Sequence, residues 1–341
     1  MEKYRVGIVG ATGMVGQRFI SLLKDHPWFE VNCVAASARS AGKTYREAVG
    51  ERWAFSWEIP EKVAGMTVVD AADIDEVSKH VDFVFCAVDM KKDEIRALEE
   101  AYAKHEIPVV SNNSACRGIE DVPMVVPEIN ADHLAVIEAQ KKRLGTKNGF
   151  IAVKPNCSIQ SYVPALTPLL DFEPEKVSVC TYQAISGAGK TFKTWPEMVD
   201  NVIPYIGGED EKSENEPLKL WGHVEDGKIV NATLPVISAQ CLRVACSDGH
   251  MAAVSVSFKK KPTIEQIKER WANYETEAQR LELPSAPKPF LQYFEDPSRP
   301  QTRLDRDFQN GFGVSIGRLR EDKLFDYRFV CLSHNTVRGA A

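Results

Sequence analysis

The chain predicts an α/β protein in two parts: an N-terminal domain of alternating strands and helices, and an α+β domain built on a mixed or antiparallel sheet. Three observations carry this. Tyr4–Val9 is a short apolar strand that runs into Gly10-Ala11-Thr12-Gly13-Met14-Val15-Gly16 and then into Phe19, Ile20, Leu22 and Leu23 at helical spacing. Strand and helix patterns go on alternating through 66–69, 83–88, 91–105 and 108–110, which predicts a mostly parallel sheet covered by helices. Past Cys157 the pattern changes to long two-residue alternations at 177–185 and 251–258, read as antiparallel strands. The expected domains are 1–156, completed by 332–341, and 157–331.

At 341 residues the chain can bury two cores, and 44% hydrophobic with 26% charged residues is ordinary for a soluble globular protein. A net charge of -6 gives no reason to expect nucleic acid or an anionic membrane as a partner, so small anionic substrates would need locally placed Arg and Lys. Nothing approaches the ~18 uncharged apolar residues of a membrane span, and no apolar signal region opens the sequence, so a cytoplasmic protein is expected. The eight cysteines form no C-x-x-C pair and no Cys/His ligand spacing, which argues against metal sites and disulfides. Cys33, Cys86, Cys180 and Cys331 lie in apolar strand-like runs and are expected in the core.

In the first turn, glycines permit a tight bend and let backbone N–H groups reach a pyrophosphate at a helix N-terminus, a Rossmann-like arrangement. The second strand, 31–36, ends in Ser37-Ala38-Arg39-Ser40-Ala41-Gly42-Lys43. Where an NAD-selective site would place Asp or Glu, Arg39, two serines and Lys43 suit a 2′-phosphate, so NADP is expected over NAD. Trp53-Ala54-Phe55-Ser56-Trp57 gives no chemical cue and reads as an aromatic-anchored excursion. Ser111-Asn112-Asn113-Ser114-Ala115-Cys116-Arg117-Gly118 follows a strand and faces the expected cofactor, with Arg117 offering a fork that matches carboxylate or phosphate.

Ile151-Ala152-Val153-Lys154-Pro155-Asn156-Cys157 is an apolar run that stops at Pro-Asn and delivers a cysteine to a predicted helix start. Asn156 is a good N-cap residue, and a cysteine in the first turn would feel the positive end of the helix dipole, which favours thiolate. Cys157 is therefore a candidate nucleophile, with a small buried core residue as the alternative. Pro164 and Pro168 must kink such a helix or end it early. In the second domain, Ser186-Gly187-Ala188-Gly189 is a flexible turn able to admit a cofactor or substrate backbone-first, and Glu209-Asp210-Glu211-Lys212-Ser213-Glu214 reads as a surface charge cluster. His250 follows a glycine turn at a strand entrance, a rigid base for a general acid or base. The segments 313–318 and 325–331 read as a last pair of strands, after which Asn335 or Thr336 could cap a helix.

Taken together and in order, Gly10 to Gly16, Ser111 to Arg117, Asn156-Cys157, Gln183 to Gly189, Arg243 to His250 and Asn335 to Gly339 resemble aspartate-β-semialdehyde dehydrogenase over nearly the whole chain. The stretch Val199 to Glu209 is similar to the archaeal and fungal branch. The resemblance implies reduction of L-aspartyl-4-phosphate by NADPH to L-aspartate-4-semialdehyde and phosphate, a step of lysine, methionine and threonine biosynthesis. It implies Cys157 as acyl-accepting nucleophile, His250 as acid/base and Gln183 as the residue orienting the intermediate. By the same resemblance Arg243 binds the α-carboxylate, Glu209 the α-ammonium, and Arg117 and Lys212 the phosphate, with Asn156 beside them. Gly10, Thr12, Gly13, Met14, Val15, Ser37, Arg39, Ser40, Ser186, Gly187 and Asn335 are the implied NADP contacts. A homodimer or homotetramer formed through the second domain's sheet is also implied. Members usually continue past the Asn335 motif into a terminal helix that returns to the cofactor domain, whereas this chain ends at Ala341. Other acyl-substrate reductases on the same scaffold, such as N-acetyl-glutamyl-phosphate reductase or malonyl- or succinyl-CoA reductase, are the alternative. They would have no need of an acid such as Glu209 for a free α-amino group.

Overall fold

In the structure, a computed structural model that describes residues 2–340, the first sheet is built of six parallel strands. These are β1 (Tyr4–Val9), β2 (Phe29–Ala36), β3 (Val69–Asp70), β4 (Phe83–Cys86), β5 (Val109–Ser111) and β6 (Ile151–Val153), in the order β3-β2-β1-β4-β5-β6. Their side chains feed two cores because strand residues alternate between faces. Val6 and Ile8 join Phe19, Ile20 and Leu23 of the Met14–Leu23 helix on one side; Val9, Val84, Cys86, Val109 and Val153 join the larger core on the other. Each fully buried Ile or Phe there contributes about 1.5–3 kcal/mol. The strand order reverses between β1 and β4, the point at which doubly wound sheets open a crevice at their carboxyl ends.

The rest of the chain adds β7 (Pro174–Gln183), β8 (Val202–Ile203), a hairpin of β9 (His223–Glu225) and β10 (Lys228–Val230), β11 (Val236–Val244), β12 (His250–Phe258), β13 (Leu291–Phe294), β14 (Val314–Glu321) and β15 (Tyr327–Ser333). Seven of these form a second sheet in the order β13-β14-β15-β12-β7-β11-β8. The sheet is mixed. β7 and β12 are antiparallel, as the alternation implied, but β7 runs parallel to β11 and β13 to β14. Register does the functional work: Arg243 pairs with Gln183, Met251 with Tyr182, and His250 with Ser333. Gln183, Arg243 and His250 are thereby gathered at one end of the sheet, next to the segment that carries Asn335.

Three local expectations are corrected. No α-helix starts at Cys157: a turn leads into a 3-10 helix, Ile159–Ser161, then Val163–Leu166 and Thr167–Phe172, with Pro164 and Pro168 in the opening turns of the last two. Asn156 instead closes a local turn, its Oδ1 accepting from the Ser158 N–H and hydroxyl, both at 2.7 Å. Asn335 and Thr336 cap no helix, since 335–340 is a succession of turns. Nor is the 209–214 cluster simply a surface feature: it opens the Glu209–Leu220 helix, and Glu209 is buried. Among the described residues no helix is long and apolar enough to cross a membrane.

Candidate active site

The site lies where the carboxyl ends of β1, β5 and β6 meet that end of the second sheet. A cavity of about 250 Å³ is lined by Met14 and Val15 from the glycine turn, Arg117, Lys154, Asn156, Cys157, Ser186, Gly187, Glu209, Lys212 and Asn335. Gln183, Arg243 and His250 stand behind this lining. Gly187 packs directly on two of them: a Cβ built on it would sit 2.8 Å from Arg243 Nη1 and 2.9 Å from His250 Nε2.

Cys157 Sγ is 3.5 Å from His250 Nε2. On the far side of the ring, the Ala184 N–H donates to Nδ1 at 3.0 Å. A nitrogen that accepts from a backbone N–H carries no proton, so the neutral ring holds its hydrogen on Nε2, aimed at the sulfur. Burial, and then Arg243, push the His250 pKa well below its ordinary value, which keeps the ring neutral. His250 is thus built as a hydrogen-bond donor, through Nε2–H, to whatever forms at Cys157. The Cys157 thiol itself is raised, the opposite of what a helix start would have produced. Burial is the largest cause, and Lys154 is the strongest opposing influence.

Ion pairs organise the rest. The helix Glu209–Leu220 presents Glu209, Lys212 and Glu216 on one face, at three- and four-residue spacing. Glu209 accepts from Asn156 Nδ2 at 2.9 Å, Gln183 Nε2 at 3.2 Å and Lys212 Nζ at 2.8 Å. Burial works against its charge, but Lys212, Asn156 and Gln183 outweigh it and hold the carboxyl below its ordinary value. Glu216 pairs with Arg117 at 2.9 Å and accepts the Asn156 N–H at 2.5 Å. Four cations, Arg117, Lys154, Lys212 and Arg243, therefore face two carboxylates. Glu216 and Lys154 were not singled out from the sequence. The 209/212/216 spacing was the available signal for the first; for the second there was only its place three residues before Cys157.

Among the residues expected at the cofactor, the structure separates two groups. Met14, Val15, Ser186, Gly187 and Asn335 border the cavity, where Asn335 accepts the Gly249 N–H at 2.8 Å and donates to Ser186 Oγ at 2.9 Å. Ser37 and Arg39 are exposed and Ser40 is buried at the end of β2, outside the cavity. The glycine turn joins the groups and fits a pyrophosphate. Gly10 has φ +90° with no room for a Cβ against the Ala87 carbonyl, and the first N–H groups of the Met14–Leu23 helix meet no side-chain cap at Gly13 and no acid in the first turn.

Residues 5–137 match the family described as semialdehyde dehydrogenase, NAD binding domain, and residues 166–338 match its dimerisation domain. An aspartate-semialdehyde dehydrogenase of Archaeoglobus fulgidus is 43% identical, covering 99% of this chain and 95% of its own, and one of Schizosaccharomyces pombe is 45% identical over 99% and 94%. This chain belongs to the aspartate-semialdehyde dehydrogenase family. It is therefore an oxidoreductase, and its first sheet belongs to the dinucleotide-binding part of that family. The crystal structure of aspartate semialdehyde dehydrogenase with NADP from Candida albicans superimposes with a TM-score of 0.89 at 38% identity, covering 99% of this chain and 95% of that one. Archaeal and fungal aspartate-semialdehyde dehydrogenases thus stand among its near relatives, as the 199–209 stretch implied.

Proposed function

We propose that the chain reduces L-aspartyl-4-phosphate with NADPH to L-aspartate-4-semialdehyde and phosphate, in the cytoplasm, as a step of lysine, methionine and threonine biosynthesis. The observation that carries this reading is the Cys157 sulfur held 3.5 Å from a neutral His250 whose Nε2–H points at it, at a cavity lined by Arg117, Lys154, Lys212 and Glu209, with Glu216 paired to Arg117 and Arg243 behind Gly187. The substrate, with one carboxylate, one ammonium and a phosphate dianion, complements that set.

In this reading the Cys157 thiolate attacks the acyl carbon, forming a thioester as the carbon–phosphate oxygen bond breaks, and the departing phosphate takes up one proton. Arg117 and Lys212 hold the phosphate, while Arg243 and Glu209 fix the α-carboxylate and α-ammonium so that the carbonyl faces the sulfur. Gln183 and the His250 Nε2–H stabilise the oxygen as it gains charge. NADPH, when bound, would supply the hydride that reduces the thioester. Collapse of the resulting tetrahedral oxyanion on Cys157, held by Gln183 and the His250 Nε2–H, releases aldehyde and returns the thiolate to Cys157. Gly10, Thr12, Gly13, Met14 and Val15 would hold the pyrophosphate, Ser37, Arg39 and Ser40 the 2′-phosphate, and Ser186, Gly187 and Asn335 the nicotinamide end. We place the domain boundary at 156/157, with 332–341 returning to the first domain. A homodimer or homotetramer would use the second sheet, where Tyr182, Val202 and Val236 are exposed apolar residues.

The test is absorbance at 340 nm with aspartate semialdehyde, NADP and phosphate. Steady NADPH formation that stops when phosphate is omitted supports the reading; none with all three present removes it.

A further inference from the structure

Lys154 is the cation at the site to which neither motif nor resemblance gave a part. It follows β6 three residues before Cys157 and lines the same cavity. Its Nζ donates to the Gly339 carbonyl, and among the described residues it has no carboxylate ion-pair partner. The other cations are engaged: Arg117 with Glu216, Lys212 with Glu209, and Arg243 with the Ala184 carbonyl at 2.7 Å, behind Gly187. His250 cannot supply a full positive charge either, because the Ala184 N–H occupies the nitrogen that would have to be protonated.

We propose that Lys154 is the counter-cation of the Cys157 thiolate, a charge-stabilising residue that makes up for a histidine held neutral. The inference rests on the function above only in taking Cys157 as the nucleophile. Among the charged groups around the sulfur, Lys154 is the strongest to oppose the burial that raises the thiol; Glu209 adds to that rise, and Arg243 and Arg117 oppose it less. In return, burial pulls Lys154 down to about 8, and Cys157 is the group that most offsets it, ahead of Glu216 and Glu209, while Arg117 adds to the fall. The Gly339 contact holds the ammonium in place: a Cβ built on Gly339 would lie 2.7 Å from Cys157 Cβ, so the carbonyl that anchors Lys154 belongs to a turn packed on the nucleophile itself.

The experiment is the rate of Cys157 alkylation by iodoacetamide, followed by mass spectrometry of its peptide from about pH 5.5 to about 9.5. Lys154→Gln keeps a donor for the Gly339 carbonyl and removes the charge; its alkylation at neutral pH should fall about tenfold or more, with the midpoint moved to higher pH. Lys154→Arg keeps the charge and should keep the profile. A change in both variants, or in neither, overturns the proposal. The reciprocal measurement does not depend on how a Lys154 variant folds. In Cys157→Ala the ammonium has lost the group that most offsets its burial, so the pH midpoint for reaction of Lys154 with an amine reagent should move to lower pH; an unchanged midpoint overturns the proposal too. Neither readout uses substrate, so a protein that fails the phosphate-dependent assay yet shows both effects loses the proposed function and retains this one.

Discussion

Replacing Gly187 with alanine tests the site at its tightest contact. The backbone there lies outside the left-handed region, so the substitution brings no conformational penalty of its own, and its whole effect is one methyl group. That carbon would meet Arg243 Nη1 at 2.8 Å and His250 Nε2 at 2.9 Å, where ordinary van der Waals contact begins at 3.4 Å; relief requires about half an ångström of movement by the loop or by both side chains. A 1 Å misplacement of reacting groups can cost about a hundredfold in rate, so half of that corresponds to roughly tenfold, or about 1.4 kcal/mol at the transition state. The assay is kcat in the direction of NADPH formation, together with cofactor affinity from fluorescence quenching and a urea melt. The expected outcome is a kcat about tenfold lower in a protein whose urea melt is little changed. A variant within twofold of the unsubstituted kcat would show that Gly187 does not set the positions of Arg243 and His250, and the reasoning would fail.

Glu128→Gln should lower stability by about 3 kcal/mol in urea, because it strands Arg338, whose Nη1 and Nη2 lie 3.0 and 2.7 Å from the carboxylate and whose side chain, like that of Glu128, is 6% exposed. A loss under about 1 kcal/mol would mean the pair behaves like a surface one. His250 is neutral when folded, with a pKa held below the ~6.5 of the unfolded chain, so it stabilises the fold above that pH and the contribution is lost as pH falls through ~6.5 toward the folded value. Stability of His250→Gln should therefore change less between about pH 7 and 5 than that of the unsubstituted protein, and parallel curves would contradict the assignment. Arg39→Ala removes an exposed guanidinium from the end of β2 and should raise the KM for NADP at least about tenfold while leaving NAD turnover unchanged; equal effects on both cofactors would remove the 2′-phosphate role.

Much of the architecture was legible because it follows from local pattern. The apolar 4–9 run, the glycine turn and the 19–23 spacing specify strand, turn and helix with no distant partner, and β1 and the Met14–Leu23 helix form where expected. The family resemblance implied Cys157 and His250 as nucleophile and acid/base, and the structure holds them 3.5 Å apart. What stayed hidden depended on burial. The thiol of Cys157 is raised because the sulfur is enclosed by elements distant in sequence, and the helix dipole invoked against this is missing where Pro164 breaks the segment into single turns. Glu209, in a run of six charged or polar residues, resembles solvated surface until Asn156 and Gln183 are brought to it from 53 and 26 residues away. The parallel pairing of β7 with β11 was equally invisible, since alternation reports which face is buried and not which way the neighbour runs.

The most direct measurement omits phosphate. With aspartate semialdehyde and NADP alone, the account requires a rapid rise in absorbance at 340 nm of about one NADPH per site, then a halt, with the aspartyl group found by mass spectrometry as a thioester on Cys157. Continued turnover without phosphate, or an acyl group on any other residue, would contradict it.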